Sequence, residues 1–333
     1  MKASTPPPPP AAPSCTAVPF DSTAQLMTEI STQLSDRLGR AGLRGLPPRP
    51  AAVPDGPRPG RAPDGPRPFP RAAAAREAPP LVAVAHGSRD PAALRTVTAL
   101  LERIRRLRPG LVVRLGHIEL NAPLLPDTLA RLSGPAVAVP LLLARGHHTG
   151  HDIPAALAGA PHLAALLARP LGPHPLLAEA LHARLEEAGA RRPSAVVLAA
   201  AGSRAPESAA DTARTARLLS ERLGGVPVLP AYASAPPEGG PPGTPLSVRA
   251  ALRDLAARGH HRPALASCFT APGRFAAQCA AAAPGPAAAP LGDHPALARL
   301  VLHRYDQARA DDQARAARGG CDHDAAGAAT VAV

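Results

Sequence analysis

Short apolar runs alternate with longer amphipathic segments from residue 80 onward. Three of the apolar runs predict buried strands, at 81–86, 111–119 and 136–143. Three segments predict helices, at 91–107, 123–132 and 152–168. Asp90 suits the N-cap of the first helix, and Pro91 suits its first position. Strands and helices that alternate in this way favour a parallel sheet with helices on both faces.

This alternation occurs twice along the chain. AHGSRDP at 85–91 returns as AAGSRAP at 200–206, and an LGxHP motif that begins at Leu171 returns at Leu291. Two motifs kept in the same order predict two related units, which span 79–191 and 192–310. We therefore expect an α/β fold of two similar units, each a parallel sheet flanked by helices on both faces, facing each other across a cleft.

The ends of the chain differ from these units in composition. Residues 1–78 contain a proline tract and two copies of DGPRP, and a segment of this composition contains too few apolar residues to form a core. We predict a disordered Pro/Arg-rich extension there, interrupted by a short helix over 22–38 whose leucines and isoleucine are spaced four apart. Residues 311–333 are predicted to be a disordered tail.

Composition narrows the classes of partner. The formal net charge is +12 over 333 residues, but 2% of the residues are aromatic and the arginines are scattered, so we expect no nucleic-acid partner. The sequence contains neither a signal-peptide core nor an apolar run of about 18 residues, which predicts a cytoplasmic protein without a membrane partner. Four cysteines without paired spacing predict free thiols, and the absence of a GxxxxGKS/T loop predicts no nucleotide.

Candidate ligands follow three predicted strands of the first unit. His86 ends the first strand, Glu119 ends the second, and three histidines lie just beyond the third: His147, His148 and His151. The carboxyl ends of parallel strands meet at one edge of a sheet, so these side chains are expected to converge. Two imidazoles and a carboxylate suit Fe²⁺, Co²⁺, Ni²⁺ or Zn²⁺, and three protein ligands leave coordination positions open for chemistry or metal transfer.

The residues leave other interpretations open. A histidine at a strand–helix joint is often a structural residue, so His86 alone is weak evidence for a metal site. His147 and His151 are expected to be surface loop residues. His174 and His294, in the two LGxHP motifs, are expected to cap helices that begin with proline, with catalysis as the alternative.

Four stretches of the first unit carry a family resemblance. VAVAHGSRDP, GHIELNAPLLPDTL, LLLARGHHTGHDIPAAL and RPLGPHPLLAEAL, in that order, resemble the sirohydrochlorin chelatases of the class II, ATP-independent chelatase family. The resemblance is good over 80–190 and weaker over 193–310. It implies a metal chelatase, a lyase, that acts on sirohydrochlorin, an anionic tetrapyrrole of the porphyrin-related biosynthetic pathways.

The resemblance also implies roles for individual residues. The family's metal-handling histidines correspond to His86 and His148, and its acidic residue corresponds to Glu119. The second unit has Ala201 in place of His86, so it resembles a degenerate copy, and we expect a single metal site in the first unit. Four further residues are candidates to contact the tetrapyrrole: Ser88, Arg89, Arg145 and Arg204.

The expected reaction is insertion of a divalent metal, supplied as a substrate, into sirohydrochlorin. Fe²⁺ insertion for sirohaem biosynthesis is the first hypothesis, and Co²⁺ insertion in a cobalamin route is the alternative. A third hypothesis, from another class, is a non-catalytic carrier of metal or tetrapyrrole. Because one chain contains both units, we expect that a monomer can form the cleft.

Overall fold

The computed structural model describes residues 78–235 and 244–327, all within one compact unit of the chain, Ala72–Val333. The predicted N-terminal extension over 1–78, with its helix over 22–38, therefore falls outside the described residues apart from Ala78. Seven strands form two parallel sheets, one in each half of the described chain.

The first sheet has four strands in the order β2-β1-β3-β4. Its strands are β1 (Leu81–Ala85), β2 (Val113–His117), β3 (Gly134–Pro140) and β4 (Leu163–Leu167). The helices of this half are α1 (Pro91–Leu107), α2 (Leu125–Leu129), a π turn (His148–Asp152), α3 (Ile153–Ala158) and α4 (Pro175–Glu187). Helix α1 begins as predicted, because the Asp90 carboxylate accepts the backbone N–H of Ala92 at 2.8 Å.

The second sheet has three strands in the order β6-β5-β7. Its strands are β5 (Val196–Ala200), β6 (Val228–Tyr232) and β7 (Ala264–Cys268). The helices of this half are α5 (Pro206–Arg222), α6 (Val248–Ala257), α7 (Arg274–Ala282) and α8 (Pro295–Gly327). The central strand of each sheet is fully buried, as expected for parallel strands covered on both faces.

The two halves exchange one helix each. Helix α4 packs on β7 and α5 of the second half, whereas α8 packs on β3, β4 and α1 of the first. One continuous apolar core consequently joins the inner faces of both sheets, and each sheet has a separate core on its outer face. The predicted fold class is confirmed. The boundary predicted near residue 191 divides the chain by sequence, whereas α4 and α8 each pack on the sheet or helices of the other half.

Two predicted elements are wrong. The predicted helix over 152–168 ends at Ala158, and Leu163–Leu167 is strand β4 instead. Its sequence, LAALL, is a short apolar run that suits either state, and pairing with β3 decides between them. The tail predicted from residue 311 is helical as far as Gly327, because its alanines, arginines and glutamine are good helix formers.

Other expectations concern thiols and membranes. Cys268 and Cys279 are free and buried, and burial raises the pKa of Cys268 to about 12 and that of Cys279 to about 11. Both thiols are therefore protonated at neutral pH. Within residues 78–235 and 244–327, no helix combines the length and the apolar character needed to span a bilayer.

Candidate metal-binding site

His86 occupies the joint between β1 and α1 because the backbone there is fixed by the neighbouring loop. Gly87 has a φ of +104°, and a Cβ on it would lie 1.9 Å from the carbonyl oxygen of Glu119. The Glu119 N–H donates to the His86 carbonyl at 3.0 Å. Only glycine permits this close approach, which sets His86 and Glu119 side by side at the sheet edge.

The predicted trio meets at this edge. His86 Nδ1 lies 3.6 Å from the Glu119 Oε1 atom, and the rings of His86 and His148 are 4.7 Å apart in an edge-to-face arrangement at 86°. The His86 and Glu119 side chains are 45% and 51% exposed, so both have room to rotate towards an ion. The structure thus brings the three residues together, although their donor atoms do not all lie within 4.8 Å of one another, as those of a tighter group of three nearby do.

The π turn orients His148. In this turn the side chains of His148 and Asp152 face each other, and the two are joined by a 2.6 Å hydrogen bond between Nδ1 and Oδ2. Because Nδ1–H donates to the carboxylate, the lone pair of the neutral ring is on Nε2. Partial burial raises the pKa of Asp152, but hydrogen bonds from His148 and His151 and the nearby His147 outweigh it and hold that pKa below its usual value.

Asp152 is the functional candidate that the sequence analysis missed. Its Oδ1 atom lies 3.2 Å from His151 Nδ1 and 3.5 Å from His147 Nε2. Within the described parts of the chain, these three residues have donor atoms that all lie within 4.8 Å of one another. The spacing of four between His148 and Asp152 was the available signal, since residues four apart on a helical turn share a face.

Ser88 is a structural residue of the same loop. Its Oγ accepts the Asp90 N–H at 3.1 Å, and its own N–H donates to Asn121 Oδ1 at 2.7 Å. These bonds fix the loop between His86 and α1. Arg89 is exposed, and its guanidinium has no hydrogen bond or ion pair with any other residue that the structure describes. The predicted contacts of Ser88 and Arg89 with a tetrapyrrole stay predictions.

Arg145 has a different contact from the one predicted. Its Nε and Nη2 donate to the two carboxylate oxygens of Asp211 on α5, at 2.9 and 2.7 Å, and its backbone N–H also donates to Asp211. Asp211 is buried, with 6% of its side chain exposed. Burial raises the pKa of Asp211, but the Arg145 bonds outweigh it and lower that pKa overall. A bidentate pair of this kind ties the halves together. Arg145 is nevertheless 55% exposed and lines the cavity beside the π turn, so its predicted contact with substrate carboxylates stays a prediction.

A cavity of about 1020 Å³ opens beside the π turn. It lies between the loops that follow β3, β4 and β5, and it is lined on one side by His147 and His151 and on the other by Arg204. Arg169 adds a second exposed guanidinium to the wall. The volume is at the upper end of the range of about 300–1,000 Å³ for small-molecule sites. A cationic cavity of this size suits a large anionic ligand.

The two LGxHP histidines are helix caps, as predicted. Nδ1 of His174 accepts the Leu176 N–H at 3.1 Å, and Nδ1 of His294 accepts the Ala296 N–H at 3.2 Å. Burial, with Arg304 and His303 nearby, lowers the pKa of His174 to about 4. Both caps need a neutral ring, because a protonated Nδ1 cannot accept a hydrogen bond.

Comparisons with known proteins agree with this geometry. The CbiX family model matches residues 80–188. A sirohydrochlorin cobaltochelatase of Methanosarcina barkeri is 32% identical over 123 residues, which cover 32% of this chain and 95% of the relative. The corresponding protein of Methanococcoides burtonii is 31% identical over 123 residues, with coverage of 32% and 94%.

Two solved structures share the fold. SirB from Bacillus subtilis with Fe³⁺ superimposes with a TM-score of 0.58 at 22% identity, covering 70% of this chain and 96% of SirB. The sirohydrochlorin chelatase SirB from Bacillus subtilis subspecies spizizenii in complex with cobalt gives a TM-score of 0.54 at 20% identity, covering 68% and 94%. These superpositions extend over both halves, whereas the family model and the two relatives cover a single half.

Proposed function

The chain belongs to the CbiX family of sirohydrochlorin chelatases, which are metal-inserting lyases, and we propose that it inserts a divalent metal ion into sirohydrochlorin at the edge of the first sheet. The observation that carries this proposal is the 4.7 Å contact between the rings of His86 and His148, beside the carboxylate of Glu119. These three groups come from three different strand ends.

The metal ion is a substrate, and the ligand set suits a substrate. His148 would offer Nε2, since its Nδ1–H is engaged by Asp152. His86 has its Nδ1 atom 3.1 Å from the Gly87 carbonyl, which favours Nε2 as the free nitrogen there as well. Three protein ligands leave positions for water, so the ion can be exchanged. A set of four, especially with thiolates, would retain it.

The tetrapyrrole would occupy the neighbouring cavity. Arg204 and Arg169 line its wall, and both side chains are exposed to it. A guanidinium binds a carboxylate through two parallel hydrogen bonds, and sirohydrochlorin carries many carboxylates. The contacts would hold the macrocycle by its periphery and leave its central nitrogens to face the histidines.

Insertion exchanges one metal ion for two protons. As the ion leaves the protein ligands and bonds to the ring, the two pyrrolic N–H groups lose their protons. A histidine freed from the ion is a suitable base, since the ordinary pKa of an imidazole side chain is about 6.5. The Asp152 carboxylate accepts the Nδ1–H of His148, which orients the ring and leaves its Nε2 atom facing the reaction.

The identity of the ion divides the proposal into two candidates. Fe²⁺ insertion, as in sirohaem biosynthesis, is the expectation from the sequence. Co²⁺ insertion is the second candidate, and it is supported by the names of the two Methanosarcina and Methanococcoides relatives. Imidazole and carboxylate ligands accept both ions, so kcat/KM measured with each ion under anaerobic conditions decides between them.

The test is the change in absorbance of sirohydrochlorin when full-length protein and Fe²⁺ or Co²⁺ are added without oxygen. We expect many turnovers per protein, faster than the uncatalysed reaction. His148→Ala should remove most of this acceleration, whereas His261→Ala, which removes an exposed histidine of the second half, should not. Equal rates for His148→Ala and the unmodified protein would overturn the site assignment.

The same assay separates an enzyme from a carrier. A carrier of metal or tetrapyrrole would convert at most one sirohydrochlorin per protein molecule. Steady turnover with tetrapyrrole in tenfold excess is expected for the enzyme. A burst that stops at one equivalent would overturn the proposed catalysis while leaving the binding of metal intact.

A further inference from the structure

A second cluster of metal-type ligands lies on the outer side of His148. It consists of His147 and His151 at the π turn and of Asp152 at its end, and we call it the outer cluster. The rings of His147 and His151 are stacked, 5.1 Å apart and inclined by 11°. About 70% of each side chain is exposed, at 72% and 71%, and both line the cavity between the halves.

The distances within the outer cluster match a coordination site. The Asp152 Oδ1 atom lies 3.2 Å from His151 Nδ1 and 3.5 Å from His147 Nε2. Two ligand atoms that are each about 2.0–2.1 Å from a tetrahedral ion lie about 3.3 Å from each other. Both carboxylate–imidazole distances are therefore close to those that an ion would need, and the ligand nitrogens of the two rings lie within 4.8 Å of each other.

Asp152 links this cluster to the inner site. Its Oδ1 atom faces the two outer histidines, and its Oδ2 atom accepts the hydrogen bond of His148. The rings of His147 and His148 lie 6.2 Å apart, and those of His148 and His86 lie 4.7 Å apart. Imidazoles thus continue in short steps from the exposed turn to the strand edge.

We propose that His147, His151 and Asp152 form a docking site for a divalent transition-metal ion, from which the ion passes inward to His148 and His86. The docking site stands on its own geometry, whereas the inward transfer rests on the proposed metal insertion. The transfer is an exchange of ligands without redox change. The bonds to His147, His151 and Asp152 break, bonds to Nε2 of His148 and His86 form, and water fills the remaining positions.

Counting bound metal tests the docking site without any tetrapyrrole. Metal-free, full-length protein is titrated anaerobically with Co²⁺, followed by calorimetry and by the visible absorption of protein-bound Co²⁺. The double variant His147→Ala/His151→Ala should bind one equivalent less than the unmodified protein. His86→Ala/His148→Ala should also bind one less and should keep the outer equivalent.

A matched pair of histidines controls for histidine content. His260→Ala/His261→Ala removes two adjacent histidines of the second half and should leave the count unchanged. Ions bound elsewhere in the chain are common to all variants, so only differences in stoichiometry matter. An unchanged count for His147→Ala/His151→Ala, or an equal loss in the His260/His261 control, would overturn the docking site.

The transfer has its own measurement. In the insertion assay, His147→Ala/His151→Ala should raise the KM for the metal by about tenfold, with a much smaller change in kcat at saturating metal. An unchanged KM beside a lost equivalent would overturn the transfer and keep the docking site. Absence of turnover in the unmodified protein would overturn the proposed function, and the Co²⁺ count would still stand.

Discussion

The loops that follow β1 and β5 share a backbone hydrogen bond and a glycine with positive φ, but they carry different side chains. In the first half the Glu119 N–H donates to the carbonyl of His86 at 3.0 Å, and in the second the Ser234 N–H donates to the carbonyl of Ala201 at 3.1 Å. A glycine with positive φ follows in both cases. The loop geometry therefore does not depend on the candidate ligands His86 and Glu119, whose equivalents in the second loop are Ala201 and Ser234.

The second half supports the first instead of duplicating it. The Thr270 hydroxyl donates to the Leu141 carbonyl at 2.8 Å, and Asp211 holds Arg145 with both carboxylate oxygens. Both contacts fix the segment that runs from β3 to the π turn. The comparison teaches that one half carries the candidate ligands and the other carries the polar groups that position their loop.

The largest effect expected from this comparison follows from the loss of His86, a proposed ligand. His86→Ala should lower kcat/KM for metal insertion by a factor on the order of 10³, because it removes a ligand that is also a candidate base. The reciprocal change, Ala201→His, restores the histidine at the equivalent position and should leave kcat/KM within a factor of about two, since Ser234 stands where Glu119 would be needed. A gain in metal binding by Ala201→His would show that the second edge is only one residue short of a site.

The glycines of the two loops provide the next contrast, measured as the free energy of unfolding. Gly87→Ala places a Cβ 1.9 Å from the Glu119 carbonyl oxygen, and the backbone must move, so we expect a loss of about 3 kcal/mol. Gly202→Ala places a Cβ 2.3 Å from the Ser234 hydroxyl, which can rotate away, and about 1 kcal/mol for the positive φ remains. Equal losses in denaturant unfolding would contradict the distinction between backbone and side-chain obstacles.

Local signals in the sequence were sufficient to predict the strands and the helix that carry the candidate site in the first half. Asp90 and Pro91 placed the start of α1, and the apolar runs placed β1 and its neighbours. Strand β4 was missed because an apolar run of five residues suits a helix or a strand equally, and only pairing with β3 distinguishes them. The exchange of α4 and α8 was missed because the sequence repeat records the order of elements and not the sheet that each helix covers.

Part of the candidate site could also be predicted from the sequence. His86, Glu119 and His148 follow three strands, so the rule for strand ends was enough to bring them together. Asp152 and the pairing of Arg145 with Asp211 depend on side-chain directions in a π turn and on contacts between the halves. The spacing of four between His148 and Asp152 was a sequence signal for the first of these contacts. The pairing of Arg145 with Asp211, 66 residues away, leaves no local pattern and required the structure.

The two LGxHP caps should differ in how they respond to acid. For a histidine whose folded pKa is lowered, stability is complete above the unfolded value of about 6.5 and falls as the pH decreases towards the folded value. For His174 that window runs from about 6.5 to about 4, as burial, Arg304 and His303 lower its pKa. After allowance for solvent screening, we expect a loss of about 1–2 kcal/mol across it.

Serine caps test this expectation because they cannot titrate. His174→Ser should flatten the decline in unfolding free energy between pH 6.5 and 4. His294→Ser should flatten it less, since burial and Arg184 lower the His294 pKa while Glu187 and Glu179 raise it. Parallel pH profiles for His174→Ser and the unmodified protein would show that the His174 cap does not govern acid sensitivity.

The smallest effect on stability is expected at the N-termini of α1 and α5. Helix α1 has a side-chain N-cap hydrogen bond, and α5 has none. Asp90 accepts the Ala92 N–H, whereas Ala205 caps α5 without a side-chain bond. Asp90→Ala should cost about 1 kcal/mol of unfolding free energy, and Ala205→Asp should gain about 0.5–1 kcal/mol by supplying the missing acceptor. Chemical denaturation of both variants checks the pair of values. Because Ala205 lines the cavity beside Arg204, Ala205→Asp should also raise the KM for sirohydrochlorin slightly, and an unchanged KM would argue that the macrocycle does not reach the start of α5.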